Sequence, residues 1–177
     1  FSIEGLRQAL RLHRLCVFND FTVLALALPH LPGDELVRIG GEPPVDGMTK
    51  ALIGAGTGLG VSGLIPNLQG QWAPIAGEGG HVTLPASDEA EERLIAVLRA
   101  RFGHVSAERI LSGSGLVVLY EAHAHMAGVA AEALTPADVT ARGLAGQCAL
   151  CQAALHSFCL FMGTVASNLA VSLGAQG

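Results

Sequence analysis

Two glycine-framed polar clusters, Gly54-Ala55-Gly56-Thr57-Gly58-Leu59-Gly60 and Gly77-Glu78-Gly79-Gly80-His81, restrict this chain more than any other feature. The first follows the apolar run Ala51-Leu52-Ile53, so it reads as a strand entering a turn of close backbone approach. Glycine there permits φ > 0 and lets bare N–H groups come up to an anionic oxygen. The second cluster sets a carboxylate and an imidazole three residues apart on a backbone free to turn tightly. Together they suggest a phosphate cradle beside a polyol-binding pocket.

The 177 residues suffice for one sizeable core, or for parts of two lobes. Half are hydrophobic and 14% are charged, so much of the surface must be covered. Net charge is −5 and Lys50 is the only lysine. No basic stripe exists to neutralise a phosphate backbone, which argues against nucleic acid as a partner. The N-terminus lacks the charged-then-apolar order of a signal peptide, and Cys16, Cys148, Cys151 and Cys159 make no disulfide framework for a chain this size. A reducing cytoplasm is the expected setting. The chain opens on Phe1 and stops at Gly177 just after a long apolar segment, so both ends are expected to be cut ends.

Helical spacing of Leu6, Ala9, Leu10 and His13 predicts a helix over 3–13 behind a Ser2 cap. Leu15-Cys16-Val17-Phe18 reads as a short strand ending at Asn19-Asp20, and 21–28 as a helix stopped by Pro29. Leu31-Pro32-Gly33 is the candidate hinge or lobe boundary. Strands are predicted at 36–39, 50–53, 59–65, 72–75 and 81–84. From Ser87 the pattern turns helical: Leu94, Val97, Leu98 and Phe102 form one apolar face, and Ser106 caps a short helix carrying Glu108. Leu116, Leu119, Tyr120 and His123 mark another helix, and Thr135-Pro136-Ala137-Asp138 resembles a capping box. Strands first and helices after argue for an α/β or α+β layered domain.

No Asp, Glu, Lys or Arg follows Arg142, so residues 149–173 pass a crude membrane-span filter. Gln152, His156, Ser157, Ser167 and Asn168 interrupt that segment, and it has no basic flank or aromatic belt. It is read as a buried helix rather than a membrane anchor.

Several residues invite chemistry and each has a plain alternative. Gly58-Leu59-Gly60-Val61-Ser62-Gly63 matches the dinucleotide fingerprint, but the following residues are β-like, not helical, so the match is a decoy. The 54–60 cluster is either a hairpin turn or a phosphate loop, with the Thr57 hydroxyl tilting towards phosphate. Asp20 and Asn19 are good helix caps. An aspartate between a strand end and a helix start also points into the crevice where α/β proteins bind ligands. Glu78 and His81 are loop polars unless the glycines around them serve a purpose, and Glu108 and His104 are by default ordinary surface residues. His13, His123, His125 and His156 read as ordinary surface or core histidines. Cys148 and Cys151, spaced i and i+3 with no second pair, read as core cysteines rather than a metal site.

The conjunction of Phe18-Asn19-Asp20-Phe21-Thr22, Gly54-Ala55-Gly56-Thr57-Gly58-Leu59-Gly60-Val61, Gly77-Glu78-Gly79-Gly80-His81-Val82 and Gly103-His104-Val105-Ser106-Ala107-Glu108-Arg109-Ile110-Leu111-Ser112-Gly113 resembles bacterial glucokinases of the hexokinase/actin-like ATPase superfamily. Leu134-Thr135-Pro136-Ala137-Asp138-Val139-Thr140 and Asn168-Leu169-Ala170 add to it, in collinear order across essentially the whole chain. The resemblance implies an α/β, actin-like ATPase (ribonuclease H-like) fold, incomplete here. Residues 1–30 would be the end of the small lobe and 31–177 most of the large lobe, with a mixed sheet and packed helices. It implies transfer of the ATP γ-phosphoryl group to the 6-hydroxyl of glucose, the first step of glycolysis, in a cytoplasmic enzyme with no membrane partner and with a homodimer as its candidate assembly.

In that resemblance Asn19 and Asp20 contact the sugar, with Asp20 as catalytic base. Glu78, His81 and Glu108 hydrogen-bond the other hydroxyls. Gly56, Thr57, Gly58, Leu59 and Gly60 approach the phosphates of ATP with Mg²⁺. Phosphoryl transfer chiefly demands alignment and charge stabilisation, which such a constellation supplies. Two motifs of the family have no counterpart in this sequence: an N-terminal Asp-x-Gly-Gly-Thr phosphate motif and a later glycine-rich strand-helix element for adenosine. The 177 residues alone are therefore expected to be inactive. A non-catalytic sugar-binding regulator on the same fold is the alternative.

Overall fold

A computed structural model describes residues 2–177. Helix α1 (Ile3–Ala9) starts at Ser2, whose hydroxyl accepts the Gly5 amide, and it ends short of the expected His13. Helix α2 (Asp20–Ala27) is capped by Asn19, whose Oδ1 accepts the Phe21 amide at 2.9 Å. Two single 3₁₀ turns follow, at Leu28–His30 and Gly33–Glu35, around the expected hinge.

The sheet has three strands in the order β1 (Lys50–Ala55), β2 (Leu59–Pro66), β3 (Trp72–Ile75). Both pairings are antiparallel, so among the described residues the sheet is not mixed as expected. Only three residues, Gly56 to Gly58, join β1 to β2, and the register sets Gly54 opposite Gly60. At the outer edge of β1, the Gln176 amide donates to the Thr49 carbonyl and the Ala51 amide to the Gly177 carbonyl.

Three predicted strands do not form. Residues 15–18 are apolar but find no ladder partner among the described residues, and Val17 and Phe18 stay more than half exposed. Residues 36–39 are likewise unpaired, with Ile39 almost fully exposed. Residues 81–84 make one isolated bridge, Thr83 with Ser106, because Gly79–His81 is already curled into a 3₁₀ turn. Strand propensity without a neighbour to satisfy the backbone is not enough.

The helical half follows its capping signals. Asp88 caps α3 (Glu89–Phe102), Ser106 caps α4 (Ala107–Ile110), Ser112 caps α5 (Gly113–Met126), and Thr135 with Asp138 forms the reciprocal box that opens α6 (Pro136–Leu144). Helix α3 buries Leu94, Ile95 and Leu98, turning its face slightly from the expected one. Helix α7 (Ala149–Leu173) lies on α5 and α6. It buries the stripe Cys151, Ala154, Ser157, Phe161 and Val165, while Leu160 and Val171 on other faces are exposed. It is therefore an amphipathic packing helix, less enclosed than a sandwich centre, though its length and composition would suffice to cross a bilayer. Its stripe completes one core with Leu59, Leu84, Leu111, Leu119 and Val139. On the sheet, α2 packs against β2 and β3, and α4 against β2 and the 3₁₀ turn at 79–81. Those contacts bring the glycine clusters together.

Candidate active site

Asn19 and Asp20, the Gly56–Gly60 turn, Glu78 and Glu108 line one cleft of about 250 Å³. These residues come from four separated segments. Each is delivered by a local device. Asn19 Oδ1 accepts the Phe21 amide, and the Asp20 carboxylate accepts that amide too, at 2.9 Å, so both are held at the start of α2. The turn is tied to α5, since the Gly113 amide donates to the Gly56 carbonyl at 2.9 Å. Ser106 caps α4 and aims Glu108, on its first turn, at the hairpin.

Glu108 connects the two glycine clusters. Its Oε2 accepts the Leu59 amide at 3.2 Å, and its Oε1 lies 3.6 Å from His81 Nε2. His81 Nδ1 in turn faces Glu78 Oε2 at 3.5 Å. The imidazole thus stands between two carboxylates, just beyond hydrogen-bonding distance of either. His81 stands beside the cleft rather than in its wall: its side chain is 61% exposed and touches the site through these two acids. A ring poised between acceptors suits a ligand rich in hydroxyl groups, each able to donate and accept.

The glycines serve a different purpose from the one expected. None of those in either cluster has positive φ. Gly54, Gly58, Gly60, Gly79 and Gly80 are small because neighbours occupy the space, whereas Gly56 and Gly77 face open space. A Cβ on Gly58 would overlap the Glu108 carboxylate, and one on Gly60 would overlap the Phe21 ring. Gly54, its cross-strand partner, would meet the same ring at 2.9 Å. Phe21, adjacent to Asp20, is thus keyed into a glycine window across β1 and β2. Phe21 was not among the expected site residues, although a glycine pair in hairpin register was the signal that a side chain lies over it.

Of the five residues expected to approach phosphate, Leu59 has its amide engaged by Glu108. The Gly56 amide closes the turn on the Gly58 carbonyl at 2.8 Å. The Thr57 and Gly58 amides have no hydrogen-bond partner among the described residues, and the Thr57 side chain is exposed at the rim. The hairpin reading of this cluster is therefore realised, with two amides at its tip left over for a ligand. No Lys or Arg lines the cleft, which is acidic through Asp20, Glu78 and Glu108. An anionic phosphate reaches it favourably only with a cation. No group of three metal-ligating side chains converges anywhere among the described residues. That is compatible with Mg²⁺, which keeps its waters and is usually held by one or two carboxylates plus substrate phosphates.

The Glucokinase family model matches residues 1–177. Curated relatives include the glucokinase of Paramagnetospirillum magneticum, 52% identical over all 177 residues and covered over 55% of its own length. The glucokinase of Aromatoleum aromaticum is 54% identical over 177 residues, with 53% of it covered. The chain thus spans about half the length of the curated relatives it matches. Among solved structures, a glucokinase from an Antarctic psychrotroph superposes on the whole chain with TM-score 0.89 at 35% identity, over 55% of its own chain. A Balamuthia mandrillaris glucokinase in complex with glucose shares the fold over 74% of this chain and 38% of that one, with TM-score 0.65 and 24% identity.

Proposed function

The chain belongs to the glucokinase family, and from that premise we propose that the protein carrying it transfers the γ-phosphoryl group of MgATP to the 6-hydroxyl of glucose. One observation supports this most: acceptor groups from four separated segments meet in a cleft rimmed by two unpaired amides. Asp20 is the base that takes the hydroxyl proton as the bond to phosphorus forms. Asn19, Glu78, His81 and Glu108 hold the remaining hydroxyls. A sugar lacking one of them would leave its partner without that hydrogen bond, so the pocket selects by stereochemistry.

The Gly56–Gly60 turn takes the phosphate end of the nucleotide through the Thr57 and Gly58 amides and the Thr57 hydroxyl. Mg²⁺ enters as part of the MgATP substrate and offsets the acidity of the cleft. Residues 1–30 form the end of a small lobe and 31–177 most of a large one, and the site lies where Asn19 and Asp20 of the first meet the second. Closure of lobes would exclude water, the competing acceptor. We read α7 as a packing helix of the large lobe rather than a membrane anchor and the setting as cytoplasmic, and assign no surface to a homodimer. A non-catalytic regulator would use the same pocket; the intact Asp20 favours the enzyme. Assay of the full-length gene product for glucose 6-phosphate from glucose and MgATP tests the reading. Glucose binding without turnover would identify the regulator instead.

A further inference from the structure

The Cys148-x-x-Cys151 pair lies far from the cleft in sequence and its thiols have no part in phosphoryl transfer. Cys148 is the N-cap of α7, and its Sγ accepts the Cys151 amide at 3.4 Å. It is partly exposed, whereas Cys151 is fully buried. Helix α6 packs closely on the Cys151 backbone: a Cβ on Gly143 would lie 3.0 Å from the Cys151 carbonyl oxygen and 2.5 Å from Leu155 Cδ1. The Cys148 Sγ is thus folded back over the residue that carries the second thiol, on the same first turn of α7. One thiol therefore meets solvent and the other does not.

We propose that Cys148 and Cys151 are a redox-active dithiol site, in which Cys148 attacks a small-molecule disulfide such as oxidised glutathione and Cys151 closes the internal bond. In the first step the Cys148 thiolate attacks one glutathione sulfur, the S–S bond breaks, and the other glutathione leaves as a thiolate that takes a proton from water. In the second, Cys151 gives up its proton and attacks Cys148 Sγ, releasing the second glutathione. Two thiols are oxidised and one disulfide is reduced.

The local electrostatics divide the roles. Hydrogen bonds from the Cys151 amide and thiol, aided by the Arg142 guanidinium, hold the Cys148 thiol below its ordinary range. Burial, then the neighbouring Cys148 sulfur, pushes the Cys151 thiol up to about 11. A thiolate at a helix start beside a cation is the reactive partner of such pairs. Once Cys148 is in a mixed disulfide its negative charge no longer opposes ionisation of Cys151, which favours closure.

No Lys or Arg follows Arg142, so the pair and Cys159 share one tryptic peptide; a Cys159→Ser background isolates the pair. The intact reduced protein is exposed to oxidised glutathione near neutral pH, alkylated and peptide-mapped. The expected product is the peptide with an internal disulfide. Cys151→Ser should accumulate a glutathione adduct on Cys148, and Cys148→Ser should leave Cys151 reduced while the protein stays folded. In protein with all its cysteines, Cys148 should also be alkylated roughly tenfold faster than exposed Cys159. An adduct at Cys148 that never closes, or equal reactivity of Cys148 and Cys159, would overturn the proposal.

Discussion

The Phe21 ring occupies the volume that any side chain at Gly60 would need. This one contact fixes the start of α2, and with it Asp20, against the hairpin whose tip faces the same cleft. Gly60→Ala should therefore destabilise the protein by about 1–3 kcal/mol through overpacking. In a Phe21→Ala background the same change should cost less than about 0.5 kcal/mol, because the ring is gone. Urea denaturation of the two single variants and the double variant measures the coupling. Additive costs would show that the ring and the glycine do not oppose each other.

A second contrast lies within the turn. An added Cβ at Gly58 displaces the Glu108 carboxylate, whereas one at Gly56 meets nothing within 4 Å. Gly58→Ala should break the Glu108–Leu59 bond and, in the full-length protein, raise the KM for glucose about 10- to 100-fold, the worth of a hydrogen bond to a charged group. Gly56→Ala should leave that KM near its starting value. Equal effects of the two changes would separate Glu108 from sugar binding.

Stability should depend on pH through His123. Its Nε2 lies 2.9 Å from the Ser157 hydroxyl between α5 and α7, and burial lowers its pKa from the ordinary 6.5. The folded ring therefore resists a proton that the unfolded chain accepts. Below about pH 6.5 the unfolded state binds more protons, so stability falls as pH drops through that value and is unaffected by this group above it. Unfolding free energies of the wild type and His123→Gln, followed from neutral to mildly acidic pH, should converge as pH falls. A constant difference would rule the titration out.

Much of this was legible in the sequence because it is encoded locally. Ser106, Thr135 and Asp138 announce their helices by short-range hydrogen bonds, and the strand runs 50–53 and 59–65 announce a connection that the structure tightens to the three residues Gly56 to Gly58. What escaped depends on partners distant in the chain. Leu15 to Phe18 has strand composition but no neighbour to pair with among the described residues. Val82 to Leu84 is turned aside by the curl at Gly79–His81. Glu108 looked like a surface residue on composition alone; only the fold sets it 3.2 Å from an amide 49 positions earlier. Glycine identity signals a close approach without positive φ here, and composition does not say that the side chains of Phe21 and Glu108 are what fills the space at Gly54, Gly58 and Gly60.

Asp20 carries the account's chemistry, so its removal is the most direct trial. In the full-length gene product, Asp20→Ala should lower kcat for glucose phosphorylation by about 10²- to 10⁴-fold, the contribution of a positioned base. Glucose affinity, measured separately by calorimetry, should weaken by less than about 10-fold, since Asn19, Glu78, His81 and Glu108 still hold the sugar. Turnover comparable to that of the unaltered protein would contradict the assignment of Asp20 as the base and leave the acidic cleft without a catalytic role.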